Sequence, residues 1–410
     1  MNIYEKASLA KKDIIKLTTD EKNSILIKIS HKILENKDKI LFANKKDLEN
    51  ARINNLKDSF VKRLVLDEEK IDGLSQSLVD VANLPDVIGD FDSNRTLNNG
   101  LVVGKKRVPL GVIGVIYESR PNVTVDVFAL CFKSSNVSIL KGGKEAICSN
   151  IILHGIIEEV LVNEGYNKNF CQLIKETSRE ATMELMSQKD YVDLLIPRGS
   201  QGLINAVSDN SKIPVIETGV GNCHLYVDES CNEEKAIEII INGKTQRPDV
   251  CNALETVLVN EKIHNSFLQK LQLEFNEHNT KIYGCHKTMK VINCQLATEE
   301  DYKKEYLDNI VAIKVVEDVD EAIEHISKYS TNHSEVIVSE NYSNIEKFLN
   351  EVDSAVVYAN ASSRFTDGGE FGFGSEIGIS TQKLHARGPM GLREITTTKY
   401  VVYGKGQVRG

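Results

Sequence analysis

A cysteine in the segment KTQRPDVCNALETVL, residues 244–258, is flanked by residues that favour a reactive thiol. Lys244 and Arg247 lie just upstream of Cys251, and nearby cations lower the pKa of a thiol toward the nucleophilic thiolate. Pro248 interrupts the preceding helical pattern, which predicts that the cysteine lies in a turn before the next apolar run. The alternative is a buried, inert cysteine, because free cysteines usually pack as small hydrophobic residues.

Two lysines follow a predicted strand in the segment SILKGGKE, residues 138–145. Because Lys141 and Lys144 stand between a strand and a helix, they should lie at the carboxyl end of the strand, where open parallel sheets bind ligands. A cation near an adenosine ribose accommodates a 2′-phosphate, so Lys144 favours NADP(H) over NAD(H). A basic surface turn is the alternative, and no G-x-G-x-x-G motif of an ordinary Rossmann dehydrogenase follows the first strand.

A second strand-to-helix junction, IPRGS at residues 196–200, contains Gly199 and Ser200. Backbone amides in such a turn can bind a pyrophosphate. A serine that caps the following helix explains the same residues equally well.

The composition limits the classes of function. The chain has 410 residues, of which 41% are hydrophobic and 27% charged, and its net charge is −9. This length predicts two or three domains with large cores. Because binding to a phosphate backbone needs a surplus of Lys and Arg, the negative charge argues against a nucleic-acid-binding protein. A negatively charged small substrate would need a local basic pocket.

The sequence predicts a cytoplasmic protein that neither crosses a membrane nor binds a metal. Its N-terminal residues form a charged amphipathic pattern without the apolar core of a signal peptide, and no apolar run is long enough to span a bilayer. Eight cysteines without a CxxC pair indicate reduced thiols rather than a disulfide framework. The pairs Cys223–His224 and Cys285–His286 match no standard zinc spacing.

Helices are predicted for residues 1–90, where apolar residues recur at spacings that form one stripe. Asp20 is the predicted N-cap of the second helix. An Asn-Gly pair between β-type residues predicts a hairpin at 97–108, and residues 396–403 are predicted to form an extended tail.

Short apolar runs then alternate with helical patterns, an order typical of parallel α/β sheets. The predicted strands are 108–117, 136–140, 170–174, 192–196, 214–217, 225–227, 256–259, 310–316, 335–338 and 355–358.

Four segments resemble one known family. The general order, from the strand PLGVIGVI to a Glu-x-Gly-x-Gly segment and then a cysteine, is similar to the aldehyde dehydrogenase superfamily. Within it, the segments YESRPNVT, GNCH, KTQRPDVCNA and VEDVDEAIEHISKYSTNHSEVI resemble the γ-glutamyl phosphate reductase family. The resemblance covers nearly the whole chain.

The resemblance implies reduction of L-glutamyl 5-phosphate to L-glutamate 5-semialdehyde, the second step of proline biosynthesis, with NADP(H) as the cofactor. The Cys251 thiolate would attack the γ-carbonyl carbon, phosphate would leave, and the resulting thioester would accept a hydride. The backbone amide of Cys251 and a side-chain amide would stabilise the oxyanion.

Site residues are carried over from the family or drawn from the motifs above. The catalytic residues would be Cys251 and Asn122. The cofactor would be bound by Lys141, Lys144, Gly199, Ser200, Glu217 and Glu305. The substrate would be bound by Arg120, Arg247, Ser363, Arg364, His385 and Arg387, of which the last two are equally explained as surface charge. Glu217 stands where oxidising relatives keep a base for hydrolytic water, which a reductase does not need.

The resemblance also implies an aldehyde-dehydrogenase-like α/β fold with two intertwined parallel-sheet domains and a small β flap. The NADP(H)-binding domain would comprise 1–96 and 109–217, and the catalytic domain 218–390, whose C-terminal part is free to return to the cofactor domain. The flap, 97–108 and 391–410, would pair across a subunit boundary in a homo-oligomer. Glutamate 5-kinase, which makes the labile substrate, is a further candidate partner.

Two other functions remain open at this point. A hydrolytic aldehyde dehydrogenase would oxidise an amino-acid semialdehyde without phosphate. A catalytically silent member would keep the fold as a binding or scaffold protein, although retention of Cys251 beside two cations argues against it.

Overall fold

The computed structural model describes residues 1–409, apart from the side chains of residues 58 and 59. The chain forms two compact units. Unit 1 contains Met1–Thr218, Gly372–Gly378 and the described residues from Met390 onward, whereas unit 2 contains Gly219–Phe371 and Ile379–Pro389. The units are therefore intertwined along the chain.

The division differs in detail from the predicted domain limits. Thr218, which the prediction assigns to the catalytic domain, belongs to unit 1, as do both flap segments. The return of Gly372–Gly378 to unit 1 has a local reason. Ile377 donates a backbone hydrogen bond to the Met390 carbonyl, and the Met390 amide donates to Gly378, so both short segments are tied together.

The elements are numbered in chain order. The helices of unit 1 are α1 (Ile3–Ile14), α2 (Thr19–Glu35), α3 (Lys37–Ile53), α4 (Asp58–Leu64), α5 (Glu68–Asn83), α6 (Val123–Lys133), α7 (Ile147–Asn163), α8 (Arg179–Ser187) and α9 (Gln201–Asn210). The strands that precede unit 2 are β1 (Phe91–Thr96), β2 (Val102–Pro109), β3 (Val112–Tyr117), β4 (Val137–Gly142), β5 (Cys171–Leu173) and β6 (Leu194–Arg198).

Unit 2 follows the same alternation. Its helices are α10 (Glu233–Thr245), α11 (His264–Glu277), α12 (His286–Met289), α13 (Glu299–Lys303), α14 (Val319–Tyr329) and α15 (Tyr342–Glu351). Its strands are β7 (Cys223–Val227), β8 (Leu254–Asn260), β9 (Lys281–Gly284), β10 (Gln295–Leu296), β11 (Ile310–Val316), β12 (Ser334–Val338), β13 (Val356–Ala359), β14 (Ile379–Ser380) and β15 (Gly388–Pro389). The strand β16 (Thr396–Tyr403) returns to unit 1.

Each unit has a parallel sheet, which confirms the predicted α/β class. The order is β5-β4-β3-β6 in unit 1 and β10-β9-β11-β8-β7-β12-β13 in unit 2. The central strands are buried along their length, as expected for a sheet covered on both faces. In unit 2, α10 and α11 pack on one face, and α14 and α15 on the other.

The flap is an antiparallel sheet in the order β1-β2-β16. Its first arm is Phe91–Thr96, so the predicted start at residue 97 is wrong, and the Asn-Gly pair lies in the turn. The hairpin and the tail pair with each other within one chain. Pairing with a second subunit would therefore use the outer edges, β1 and β16.

Three other local predictions are wrong. Thr18, not Asp20, caps α2, because its hydroxyl accepts from the Glu21 amide while the Glu21 carboxylate accepts from the Thr18 amide. Residues 108–117 are two strands, since Gly111 breaks them with a φ of +132° where a Cβ would lie 2.1 Å from an Asp193 oxygen. Residues 214–217 form no strand beyond one bridge from Val215.

Within residues 1–409, no helix is both long enough and apolar enough to cross a membrane.

Candidate functional site

Cys251 lies in the turn between α10, which ends at Thr245, and β8, which begins at Leu254. This confirms the predicted turn. The side chain is half-buried, so the sulfur is neither sealed in the core nor fully exposed. Because the cysteine precedes β8, it lies at the amino-terminal edge of the parallel sheet of unit 2.

The backbone of Cys251 is held from one side by the segment 221–223. A Cβ on Gly221 would lie 1.4 Å from the Cys251 carbonyl oxygen, so only glycine fits there. The Cys223 thiol donates a hydrogen bond to the same oxygen at 3.2 Å. Burial raises the pKa of Cys223 well above its ordinary value, which keeps this sulfur a protonated donor.

The next residue, Asn252, is held from the other side by the short 3₁₀ segment Ser363–Phe365 and the residue after it. The Asn252 side-chain Nδ2 donates to the Thr366 carbonyl at 2.8 Å, and the side-chain Oδ1 accepts from the Arg364 guanidinium. The Ser363 hydroxyl donates to the Asn252 carbonyl at 2.7 Å. Cys251 thus stands between two anchored peptide groups, which restrict its position.

The two cations upstream of Cys251 each have an acidic partner. Lys244 is completely buried and pairs with the equally buried Glu255, with Nζ 2.7 Å from the carboxylate. Arg247 pairs with Asp249 at 3.0 Å. The buried Lys244–Glu255 pair ties the last turn of α10 to β8, on either side of the turn that carries Cys251.

Arg364 is a cation whose charge interacts with Cys251. Burial lowers the pKa of Arg364, and the charge of Arg247 lowers it further, while Asp367, Cys251 and Asp249 oppose that shift. The guanidinium is fixed by its hydrogen bonds to Asn252 and to Gln246, whose side-chain oxygen lies 3.0 Å from Nε. A fixed guanidinium favours the thiolate form of a nearby cysteine.

Glu305 lies beside the Cys251 turn in unit 2. Its carboxylate accepts from the Gly221 amide at 2.8 Å. It also raises the pKa of Glu255, although burial is the larger cause of that rise and Lys244 opposes it. Residue 305 therefore positions the segment that contacts the Cys251 carbonyl.

Several candidates of unit 1 share the carboxyl edge of its sheet. The segment that contains Arg120 and Asn122 follows β3, Lys141 and Lys144 lie at the end of β4, and Gly199 follows β6. These three strands are adjacent in the sheet. The residues of this predicted ligand-binding edge are up to 79 positions apart in the sequence, from Arg120 to Gly199.

Lys141, near the end of β4, and Lys144, in the turn that follows, have different environments. Lys141 is buried, its Nζ donates to the Gly142 carbonyl at 3.3 Å, and burial lowers its pKa. Lys144 is exposed in a 3₁₀ turn. An exposed ammonium group at this edge is suited to an incoming anion, whereas Lys141 is suited to holding backbone groups.

Glu118 occupies the junction that was predicted to bind pyrophosphate. Its carboxylate accepts from the Ser200 amide at 2.9 Å, and a Cβ on Gly199 would lie 2.5 Å from a Glu118 oxygen. The Ser200 hydroxyl caps α9 by accepting from Leu203. This geometry supports the capping interpretation, and a pyrophosphate at this amide would have to displace Glu118.

Three more predicted residues of unit 1 already have partners. The Asn122 side-chain Nδ2 donates to the Asp126 carboxylate at 3.0 Å. Burial raises the pKa of Asp126 to about 6, although this hydrogen bond acts to lower it. Glu217 accepts from the Ser208 hydroxyl at 2.7 Å. Arg120 accepts a backbone hydrogen bond from Val123 through its carbonyl. The oxyanion role of Asn122 stays a prediction.

The C-terminal substrate candidates of unit 2 differ in exposure, since His385 is exposed whereas Arg387 is half-buried and its Nε is shielded from solvent. Arg387 donates to both the carboxylate and the carbonyl of Asp353 at 2.9 Å, and Lys383 also pairs with that carboxylate. His385 is exposed between them. The geometry of Arg387 supports the surface-charge alternative.

Comparisons with known proteins agree with this architecture. A model of the aldehyde dehydrogenase family matches residues 2–282. The γ-glutamyl phosphate reductase of Caldanaerobacter subterraneus subsp. tengcongensis is 54% identical over 406 residues, which cover 99% of this chain and 98% of that protein. The corresponding protein of Carboxydothermus hydrogenoformans is 54% identical over 411 residues, or 100% and 99% of the two chains.

A solved structure is similar over the same extent. The crystal structure of γ-glutamyl phosphate reductase from Thermotoga maritima superposes with a TM-score of 0.96 at 48% identity, covering 100% of this chain and 99% of that one. This chain belongs to the γ-glutamyl phosphate reductase family. Membership confirms the resemblance and the aldehyde-dehydrogenase-like fold, and it makes the chain an oxidoreductase of proline biosynthesis.

The γ-glutamyl phosphate reductase motifs explain which site residues the sequence could reveal. Cys251, Arg247, Ser363, Arg364 and Glu305 all belong to unit 2, and their roles stay predictions. The positioning roles of Gly221, Cys223 and Asn252 were missed. Gly221 and Cys223 belong to the family segment GNCH, but only the fold shows that this segment contacts the turn that carries Cys251.

Proposed function

We propose that this chain reduces L-glutamyl 5-phosphate to L-glutamate 5-semialdehyde with release of phosphate, using NADPH and a cysteinyl thioester. The observation that carries the proposal is the half-buried Cys251, anchored through its carbonyl by Gly221 and Cys223 and through Asn252 by Ser363 and Arg364. Such anchoring suits a nucleophile whose sulfur must meet one carbon atom at a defined angle.

The reaction divides into an acyl transfer to Cys251 and a reduction of the resulting thioester. The thiolate forms a bond to the γ-carbonyl carbon, and the bond from that carbon to the phosphate oxygen breaks, which leaves a thioester and free phosphate. Bound NADPH supplies the hydride that reduces the thioester. Hydride addition gives a thiohemiacetal oxyanion on Cys251; its oxygen re-forms the carbonyl, the carbon–sulfur bond breaks, and aldehyde and thiolate are released. The backbone amide of Cys251 donates to the oxyanion in each step, and Asn122 is the proposed side-chain donor.

The substrate carries a phosphate at one end and an α-carboxylate beside an α-ammonium group at the other, and the cations of unit 2 are suited to its two anionic groups. Arg364 ranks first, because it is fixed beside the residue that follows Cys251. Arg247, Ser363 and Arg120 are further proposed ligands. His385 and Arg387 rank last, since Arg387 is already bound to Asp353.

The proposed cofactor-binding residues are those of unit 1 described above and, by the family resemblance, Glu305. The exposed ammonium group of Lys144 at the carboxyl edge of β4 fits the 2′-phosphate of NADPH, and Lys141 supports the same turn. Gly199 and Ser200 are proposed to face the cofactor if Glu118 moves. Glu217 and Glu305 are proposed to lie on the nicotinamide side, which leaves no base assigned to hydrolytic water.

The experiment that tests this function is the reverse reaction. Purified protein should reduce NADP⁺ with L-glutamate 5-semialdehyde only when inorganic phosphate is present. Oxidation that is independent of phosphate would identify a hydrolytic aldehyde dehydrogenase instead. Absence of turnover, together with no labelling of Cys251 by a thiol-directed acyl analogue, would identify a catalytically silent member.

Lys144→Glu should shift cofactor preference from NADPH toward NADH. A carboxylate repels a 2′-phosphate and accepts from a 2′-hydroxyl, so we expect the ratio of kcat/KM for NADPH to that for NADH to fall by about tenfold or more. The measurement is steady-state kinetics with both cofactors. Lys189→Glu, at another exposed lysine of unit 1, is the control, and an unchanged ratio in Lys144→Glu would exclude Lys144 from the cofactor site.

We further propose a cytoplasmic homo-oligomer. The outer edges of the flap, β1 and β16, carry unpaired backbone groups that a second subunit can cover. Glutamate 5-kinase remains a proposed partner, because it makes the labile acyl phosphate.

A further inference from the structure

A cavity of about 220 Å³ in unit 2 is lined by side chains of both charge signs. Its lining residues are Asn242, Gln246, Arg364, Phe365, Asp367 and Glu370. We call this cavity the mixed-charge pocket. Its volume is below the range of about 300–1,000 Å³ that is typical of sites for drug-sized ligands, so it suits part of a small metabolite.

The cationic side of the mixed-charge pocket is connected directly to the Cys251 turn. The Arg364 guanidinium bonds to the Asn252 side chain and to Gln246, 3.0 Å from Nε. The charges of Cys251 and Asp367 both act on Arg364. A ligand held by this guanidinium is therefore close to the nucleophile.

The anionic side is positioned by a tight turn. One Asp367 oxygen accepts from the Gly369 amide at 2.8 Å and from the Glu370 amide at 3.4 Å. The turn places two carboxylates, Asp367 and Glu370, in the lining of the pocket together with Arg364. A pocket with a guanidinium and two carboxylates matches a ligand that is itself a zwitterion.

We infer that the mixed-charge pocket binds the α-amino acid end of the substrate. Arg364 binds the α-carboxylate, for which a planar guanidinium is suited, and Asp367 with Glu370 binds the α-ammonium group. The inference rests on the proposed function and deepens it, because it explains how an enzyme that reacts at the γ-carbon selects a glutamyl group. The pocket, rather than the thiol, sets the specificity.

Two truncated aldehydes separate the contacts. 5-Oxopentanoate lacks the ammonium group of L-glutamate 5-semialdehyde, and 4-aminobutanal lacks its carboxylate. Phosphate-dependent NADP⁺ reduction should be slower with each, with kcat/KM lower by about tenfold or more, because each leaves charged pocket groups without a partner.

Variants then assign each contact to its residue. In Asp367→Asn and Glu370→Gln, the ratio of kcat/KM for the semialdehyde to that for 5-oxopentanoate should fall by about tenfold or more. In Arg364→Gln, the ratio of the semialdehyde to 4-aminobutanal should fall similarly. Arg364→Gln also lowers the general reactivity of Cys251 through Asn252. Such a loss reduces kcat/KM for every aldehyde by the same factor, so it leaves these ratios unchanged. Asp367→Asn keeps the acceptor that forms the turn, so it should fold normally.

The results of these assays distinguish failure of this inference from failure of the proposed function. Glu346→Gln, at an exposed glutamate of unit 2, is the control and should keep the wild-type ratios. If the wild-type enzyme uses the three aldehydes equally, or if the pocket variants keep its selectivity, the inference is wrong although the phosphate-dependent activity stands. If no aldehyde supports phosphate-dependent turnover, both the proposed function and the inference are wrong.

Discussion

Cys251→Ala is expected to lower kcat for phosphate-dependent NADP⁺ reduction by about 10⁴-fold or more, the order found when a covalent nucleophile is removed. Without the sulfur, no thioester forms, and hydride would have to reach the acyl phosphate directly. Folding should be retained, because the groups that Gly221 and Cys223 hold belong to the backbone of residue 251. The measurements are steady-state kinetics, thermal unfolding and NADPH binding by fluorescence.

Cys231→Ala is the matched control for this experiment. Cys231 is a half-buried cysteine of the same unit, and burial raises its pKa to about 11, so it is a thiol near neutral pH. Its replacement should leave kcat near the wild-type value. Residual turnover of Cys251→Ala above a few per cent, or an acyl group trapped on another side chain, would contradict the covalent mechanism.

Lys244→Met is expected to destabilise the protein by about 3–5 kcal/mol, the usual cost of leaving one member of a buried ion pair alone. Glu255 is fully buried and its carboxylate lies 2.7 Å from Lys244 Nζ, so the variant forces it to bind a proton or to remain as an unpaired charge. The measurement is urea unfolding monitored by circular dichroism.

The double variant Lys244→Met with Glu255→Met tests the cause. If the loss in the single variant comes from an uncompensated charge, the double variant should recover most of the free energy of unfolding, because two apolar side chains often replace a buried ion pair at little cost. Lys270→Met, which breaks an exposed pair with Glu233, should change stability by less than about 1 kcal/mol. Equal losses in Lys244→Met and Lys270→Met would contradict the role of burial.

The sequence was most informative where burial is complete. Strands such as β4 and β8 are buried along their length, so their apolar runs were readily recognised and their alternation with helices predicted the parallel sheets. Residues 214–217 are also apolar in part, yet only Val215 bridges to the sheet. Local composition does not show whether a neighbouring strand is available for pairing.

The same limit applies to the site. Cys251 was predicted from its own surroundings, because the turn-forming residues and cations are adjacent in the chain. The contacts of Asn252 with residues 363–366 span more than 100 positions, and no local pattern signals them. The ion pair of Lys244 with Glu255 was not predicted, although the two residues are close in the sequence. The sequence alone does not show that both side chains are buried.

The order in which the chain leaves the ribosome has a consequence for the flap. β2 has emerged long before its partner β16, which comes only after all of unit 2. During translation, one edge of β2 is therefore unpaired and open to strands of other nascent chains. The consecutive charges Lys105, Lys106 and Arg107 on β2 discourage such association until the last strand arrives.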